Sequence, residues 1–296
     1  MLSRTKVQMG TFVSISLQAD KKEFFKPAFG VIQGVDNSLS SYKKTASIYR
    51  LNHQKKVALE GYIFEALTLS CWYCEKTDGY FDIAMGSVTK DLYHFGEQEQ
   101  IPSISALQRA NLALEGLSFN TSNARIASDM TIDLGGMGKG FGVDKAVAFL
   151  KEQGVKKAVV AASGDIRCLS QCFIEINNPF SQKALAHFHT KSQEMGVSTS
   201  GNYNRYVQDT THNHLINPKT KTSQQNFISV TLISTLPSSD LDAYATAVSV
   251  MPKEKAFKFL TSQGIAYIIL DSNRKLFVSE NINQVVDDLL LDDTSK

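Results

Sequence analysis

Five glycines, Gly135, Gly136, Gly138, Gly140 and Gly142, crowd into the eight residues around Lys139, between the run ThrIleAspLeu and a segment with helical spacing. Glycine has no Cβ, so its backbone N–H can approach an anion closely. At the positive N-terminal end of a helix, such a run builds a cradle for phosphate. Lys139 adds a full positive charge. Val143, Ala146, Val147 and Leu150 recur at three- and four-residue spacing, which predicts a helix from about Phe141, and Gly154 stands where that helix should stop. The run AlaValValAlaAla from 158 then leads into Ser163, Gly164 and Asp165, so the stretch predicts strand, turn, helix and strand. Its spacing matches neither the P-loop pattern nor the GxGxxG fingerprint. The residues therefore point to a nucleotide held in an uncommon way, with an ordinary α/β turn as the alternative.

A second segment carries chemistry of its own. SerSerAspLeuAspAlaTyrAlaThrAlaValSerVal, 238 to 250, predicts a helix capped by Ser239 or Asp240, with Pro252 just past its end. Positions four apart share a helix face, so Asp242 and Thr246 present a carboxylate and a hydroxyl one turn from each other. Hard oxygens of this kind suit Mg²⁺, which takes few protein groups and completes its shell with water and phosphate. The other reading is local: Asp242 favours the helix start and Thr246 bonds back to the chain.

Composition sets the outer limits. A chain of 296 residues that is 43% hydrophobic can bury a sizeable core, and no linker or internal repeat divides it, so one continuous unit over residues 1–296 is expected. The last stretch, 286–296, is expected to be a short helix running into a loose acidic end. Strand-like runs at 227–234 and 265–270 alternate with helical ones such as 64–76, which predicts a mixed α/β class. The formal net charge is +2 with dispersed basic residues, which excludes a nucleic-acid footprint. No run of 18 apolar residues, signal-peptide core or lipobox occurs, so no transmembrane segment is expected. The chain as given is expected to be cytoplasmic, or periplasmic if a native leader has been removed. Cys71, Cys74, Cys168 and Cys172 are read as buried free thiols, in keeping with a reducing compartment.

Eight stretches in one order resemble the FAD:protein FMN transferase family, the ApbE-like flavin transferases. They are Met9, Gly10, Thr11; Ser40 to Tyr42 with Ser47 and Asn52; Tyr80 to Ala84; the glycine run; Ser163 to Ile166; Thr199 to Tyr203; His214 to Thr220; and Asp242 to Ala247. The resemblance spans Met9 to about Ala247. It implies an α+β fold of two subregions with FAD in a cleft between them. The implied activity is Mg²⁺-dependent transfer of FMN from FAD to a threonine on an acceptor flavoprotein, with release of AMP. The metal would be held by Asp242, Thr246 and the carbonyl of Gly138. His214 would be the base, a task that suits histidine near neutral pH. FAD contacts are implied at Met9, Tyr42, Tyr80, Phe81 and Asp82, and at Asp133, Lys139, Phe141, Asp165 and Thr199.

Three positions depart from the family pattern. Asn217 stands where aspartate is usual, Lys221 where glycine is usual, and Ser163 replaces the first glycine of GlyGlyAsp. Asparagine loses a charge beside His214, and lysine is a poor substitute for glycine if the turn needs positive φ. Two further readings stay open: an FAD diphosphatase, in which water replaces threonine, and a flavin carrier without catalysis. A nicotinamide dehydrogenase would need a GxGxxG that is absent.

Overall fold

The structure is a computed structural model that describes residues 1–203 and 205–292. Eight strands form one antiparallel sheet whose spatial order follows the chain. They are β1 (Leu2–Gln8), β2 (Thr11–Leu17), β3 (Ala158–Ala162), β4 (Asp165–Cys168), β5 (Met195–Gly201), β6 (Phe227–Ser234), β7 (Ala266–Asp271) and β8 (Leu276–Val278). Apolar residues pointing to both sides of the sheet give it two buried faces. In β6, Val230 and Leu232 enter a core shared with helices, while Ile233 enters a second core against a three-stranded sheet.

Three helices position the site: α1 (Phe25–Leu39), α2 (Gly138–Glu152) and α3 (Ser238–Val250). Val143, Ala146, Val147 and Leu150 all face the core that α2 shares with β2 and α1, as their spacing requires. The helix starts at Gly138, three residues before the expected point. Residues 131–134 are not a strand. Their backbone is held by a side chain instead: Asn52 donates to the carbonyl of Ile132 at 2.9 Å and accepts from its N–H at 2.9 Å.

The cap of α3 is supplied from another helix. Neither Ser239 nor Asp240 caps it; Asp144 of α2 accepts from the N–H groups of Ser238 and Ser239, each at 2.8 Å, and from the Ser239 hydroxyl at 2.7 Å. Asp240 accepts from the Tyr73 hydroxyl. A carboxylate at a helix start satisfies donors that the helix cannot and faces its positive end. Asp144→Ala is therefore expected to cost about 1–2 kcal/mol, read as a lower denaturation midpoint with an unchanged slope.

Two expectations for the rest of the chain are corrected. Val286–Leu291 is a strand paired with Ala184–Thr190 and not a helix with a loose end, because Val286 packs into the second core. Residues 293–296 lie outside the described residues. Cys168 and Cys172 form a disulfide across a Cα separation of 6.2 Å, within reach of such a bond, so the reading of all four cysteines as free thiols does not stand. Cys71 and Cys74 are free and half-buried, and burial raises both thiol pKa values. Among the described residues no helix is long and apolar enough to cross a membrane.

Candidate active site

A cleft of about 830 Å³ opens where α2 and α3 meet the turn between β1 and β2. Twelve of the expected residues line it: Met9, Tyr42, Tyr80, Phe81, Asp82, Asp133, Gly138, Lys139, Thr199, His214, Asp242 and Thr246. Two do not. Phe141 is buried in the core, edge-on to Tyr62, because the helix turn carries it away from the cleft. Asp165 lies behind Lys139 and accepts from the Ser198 hydroxyl at 2.6 Å.

Close approach between α2 and α3 builds the floor. A Cβ on Gly140 would meet the carbonyl oxygen of Ser238 at 2.2 Å, so only glycine permits this crossing. Gly140→Ala is expected to cost about 1–3 kcal/mol through overpacking and to lower turnover by displacing α3; an unchanged melting temperature would contradict it. Across the crossing, Asp242 accepts from the N–H of Gly140 at 3.0 Å and from Lys139 Nζ at 3.1 and 3.2 Å. Lys139 Nζ also forms an ion pair with Asp165 Oδ2 at 2.8 Å. Burial alone would lower the lysine pKa, but the two carboxylates outweigh it and hold the ammonium charged. Burial and the neighbouring Asp242 push the Asp165 carboxyl upward against the pull of Lys139.

Two hard oxygens meet beside this ion cluster, with the Asp242 carboxylate one helical turn from one of them: Thr246 Oγ1 donates to the carbonyl of Gly136 at 3.2 Å. The backbone oxygen in contact with Thr246 is thus that of Gly136, two residues before Gly138. A buried carboxylate, a hydroxyl and a carbonyl are the donor set that suits Mg²⁺.

His214 lines the same cleft with its tautomer fixed. Its Nδ1 lies 3.1 Å from the carbonyl oxygen of Arg205, which can only accept, so Nδ1 carries the proton and Nε2 keeps its lone pair. Burial, then the positive charge of Arg205, lowers its pKa to about 4. Nearby, burial raises the Asp82 carboxyl to about 6 although the Ala84 N–H opposes it. Burial also acts upward on Asp133, yet Lys90, the Gly135 N–H, Arg205 and Thr89 together hold it below the usual carboxylate range.

The glycine run, the oxygen pair on α3 and the oriented histidine share one cleft, and the match to known sequences decides the rest. The ApbE family model matches residues 9–269. The chain belongs to the ApbE family. Among curated relatives, the FAD:protein FMN transferase of Escherichia coli K12 is 26% identical over 258 residues, 79% of this chain and 73% of that one. The FAD:protein FMN transferase of Klebsiella pneumoniae strain 342 is 25% identical over 290 residues, 94% and 91% of the two chains. The fold matches the crystal structure of the ApbE protein of Thermotoga maritima with a TM-score of 0.87 at 21% identity, over 97% of this chain and 99% of that one. The flavin transferase ApbE of Vibrio cholerae superposes with a TM-score of 0.81 at 21% identity, over 96% and 98%.

Against the ApbE pattern, the three departures have local explanations. Lys221 does take positive φ, +58°, and its ammonium donates to the carbonyls of Gln108 at 2.9 Å and Ala110 at 2.8 Å, contacts that offset the strain. Ser163 takes φ +56° in the two-residue turn between β3 and β4. Asn217 donates to the carbonyl of Val250 at 2.9 Å, a bond that a carboxylate could not make, and so ties the end of α3 to the His214 segment. Two cations of the cleft wall, Lys90 and Arg205, lay outside the residues singled out from sequence. Arg205 follows the matched Tyr203 by two positions, which is the signal that could have found it.

Proposed function

We propose that this ApbE-family chain transfers FMN from FAD to a threonine hydroxyl of an acceptor flavoprotein and releases AMP, with Mg²⁺ at Asp242 and Thr246. The supporting observation is that a histidine whose Nδ1 is engaged and whose Nε2 keeps its lone pair lines the same cleft as the α2–α3 ion cluster. Asp242, Thr246 and a backbone oxygen of the 136–138 segment would hold the metal. When bound, it neutralises the pyrophosphate and the developing charge on the leaving phosphate. Lys139 supplies further positive charge at the same point. His214 Nε2 takes the proton of the incoming hydroxyl as its oxygen attacks the FMN phosphorus, and the P–O bond to AMP breaks. Tyr42, Tyr80 and Phe81 offer ring faces to the flavin, while Asp82 and Thr199 offer polar contacts.

Incubation with FAD, Mg²⁺ and a flavoprotein domain bearing an acceptor threonine, followed by mass spectrometry and an AMP assay, tests the reading. An FMN-sized mass gain on the acceptor is expected. AMP and free FMN without a mass gain would make the protein a diphosphatase, and intact bound FAD a carrier.

A further inference from the structure

Elsewhere in the lining of the cleft, two cations converge on one hydroxyl. Tyr42 Oη donates to the carbonyl of Phe95 at 2.8 Å and accepts from Arg205 Nη2 at 3.0 Å and from Lys90 Nζ. Lys90 Nζ also sits 3.9 Å from the centre of the Tyr42 ring, and the Arg205 guanidinium 5.5 Å from that of Phe95. Gly96 makes room for the arrangement: its φ is +84°, and a Cβ there would meet Tyr42 Oη at 2.9 Å and Arg205 Nη2 at 3.3 Å.

The charges do not cancel. Asp133 Oδ2 lies 3.4 Å from Lys90 Nζ and also feels the charge of Arg205, but among the described residues no carboxylate lies within ion-pair distance of Arg205. Two cations and one carboxylate leave a net positive charge on the cleft wall, held in place by a hydroxyl whose three hydrogen bonds are all engaged. Bringing like charges together costs free energy unless an anion joins them. Arginine and lysine aimed at one point are the pair that recognises phosphate oxygens.

We propose that Lys90 and Arg205, hung from Tyr42, form a second anion site in the cleft that takes one phosphate of the dinucleotide, separate from the charge that Lys139 supplies. This rests on the reading of the cleft as an FAD site. Arg205 has a second tie to the chemistry, since its own carbonyl fixes the His214 tautomer. Anion capture at its side chain and orientation of the base thus depend on one residue.

Calorimetry on the full chain with Mg²⁺ separates the possibilities, with FMN and AMP as single-phosphate probes, FAD as the whole ligand and riboflavin as the phosphate-free control. Arg205→Met and Lys90→Met are each expected to weaken FAD and one of the two single-phosphate ligands by about tenfold or more, leaving riboflavin unchanged. Arg205→Lys should retain most of the affinity, which guards against a folding defect in the methionine variant. Unchanged phosphate affinity in both variants, or an equal loss with riboflavin, would overturn the proposal while leaving the flavin site intact. A wild-type protein that binds none of the four ligands would overturn the flavin reading and this site with it.

Discussion

Asp242→Ala is expected to abolish flavin transfer, with turnover falling at least about 10²–10³-fold while FAD affinity changes far less. The asymmetry follows from where the carboxylate sits. It contacts both the Gly140 N–H and Lys139 Nζ, and it shares a helix face with Thr246. Removing it would take away the charged ligand of the proposed Mg²⁺ and leave Lys139 with Asp165 alone. Contacts along the rest of the cleft still hold the dinucleotide, and such uniform binding sets affinity more than rate. Asp242→Asn separates charge from shape: it should be nearly as inactive while keeping an acceptor for Gly140. Single-turnover kinetics beside calorimetric FAD titration would decide the point, and wild-type turnover in either variant would defeat the assigned role.

His214→Gln is expected to slow transfer about 10²–10⁴-fold while leaving FAD binding in place. The same residue sets a pH dependence. With its pKa lowered to about 4, first by burial and then by Arg205, the imidazole is neutral across the physiological range. A base must be unprotonated to act, so kcat/KM should be flat toward neutral pH and fall as pH drops through about 4. Stability has the same sign. The unfolded chain protonates this histidine near pH 6.5 and the folded one near 4, so between those values the unfolded state binds more protons and folding weakens as pH falls. In the glutamine variant both the low-pH limb of the rate and this part of the stability slope should disappear. A pH–rate profile with its lower limb near 6.5 would show that the imidazole is not held as described.

Local pattern carried much of the fold into view from sequence. The helical spacing of Val143 to Leu150 and the β-rich run at 227–234 each reappear as an element at that place, because burial on one face enforces the period. What stayed hidden was tertiary. The cap of α3 comes from Asp144, roughly a hundred residues earlier, and the backbone of Ile132 is held by Asn52; neither partner can be read from its own neighbourhood. The strand at Val286–Leu291 failed for a similar reason, since its acidic residues mask a pairing with Ala184–Thr190 that depends on distant chain. In the cleft, ordered motifs found the residues that touch it, whereas Phe141 went astray because a motif gives adjacency in sequence and a helix turn redirects the side chain. Lys90 and Arg205 sit in no pattern of their own. Apart from Arg205's place two positions after the matched Tyr203, it is the meeting of chain segments at Tyr42 that reveals them.

The crossing of α2 and α3 also has a meaning for biosynthesis. The cradle emerges from the ribosome about a hundred residues before the helix that completes it, and the Asp144 carboxylate waits equally long for the amides of Ser238 and Ser239. Contacts of such long range are slow to form and come late. A nascent chain therefore passes through an interval in which Lys139 and the glycines are made while the helix that packs across them is not. With the site as proposed, competence would arrive only with the last third of the polypeptide, and a half-finished chain would leave flavin untouched.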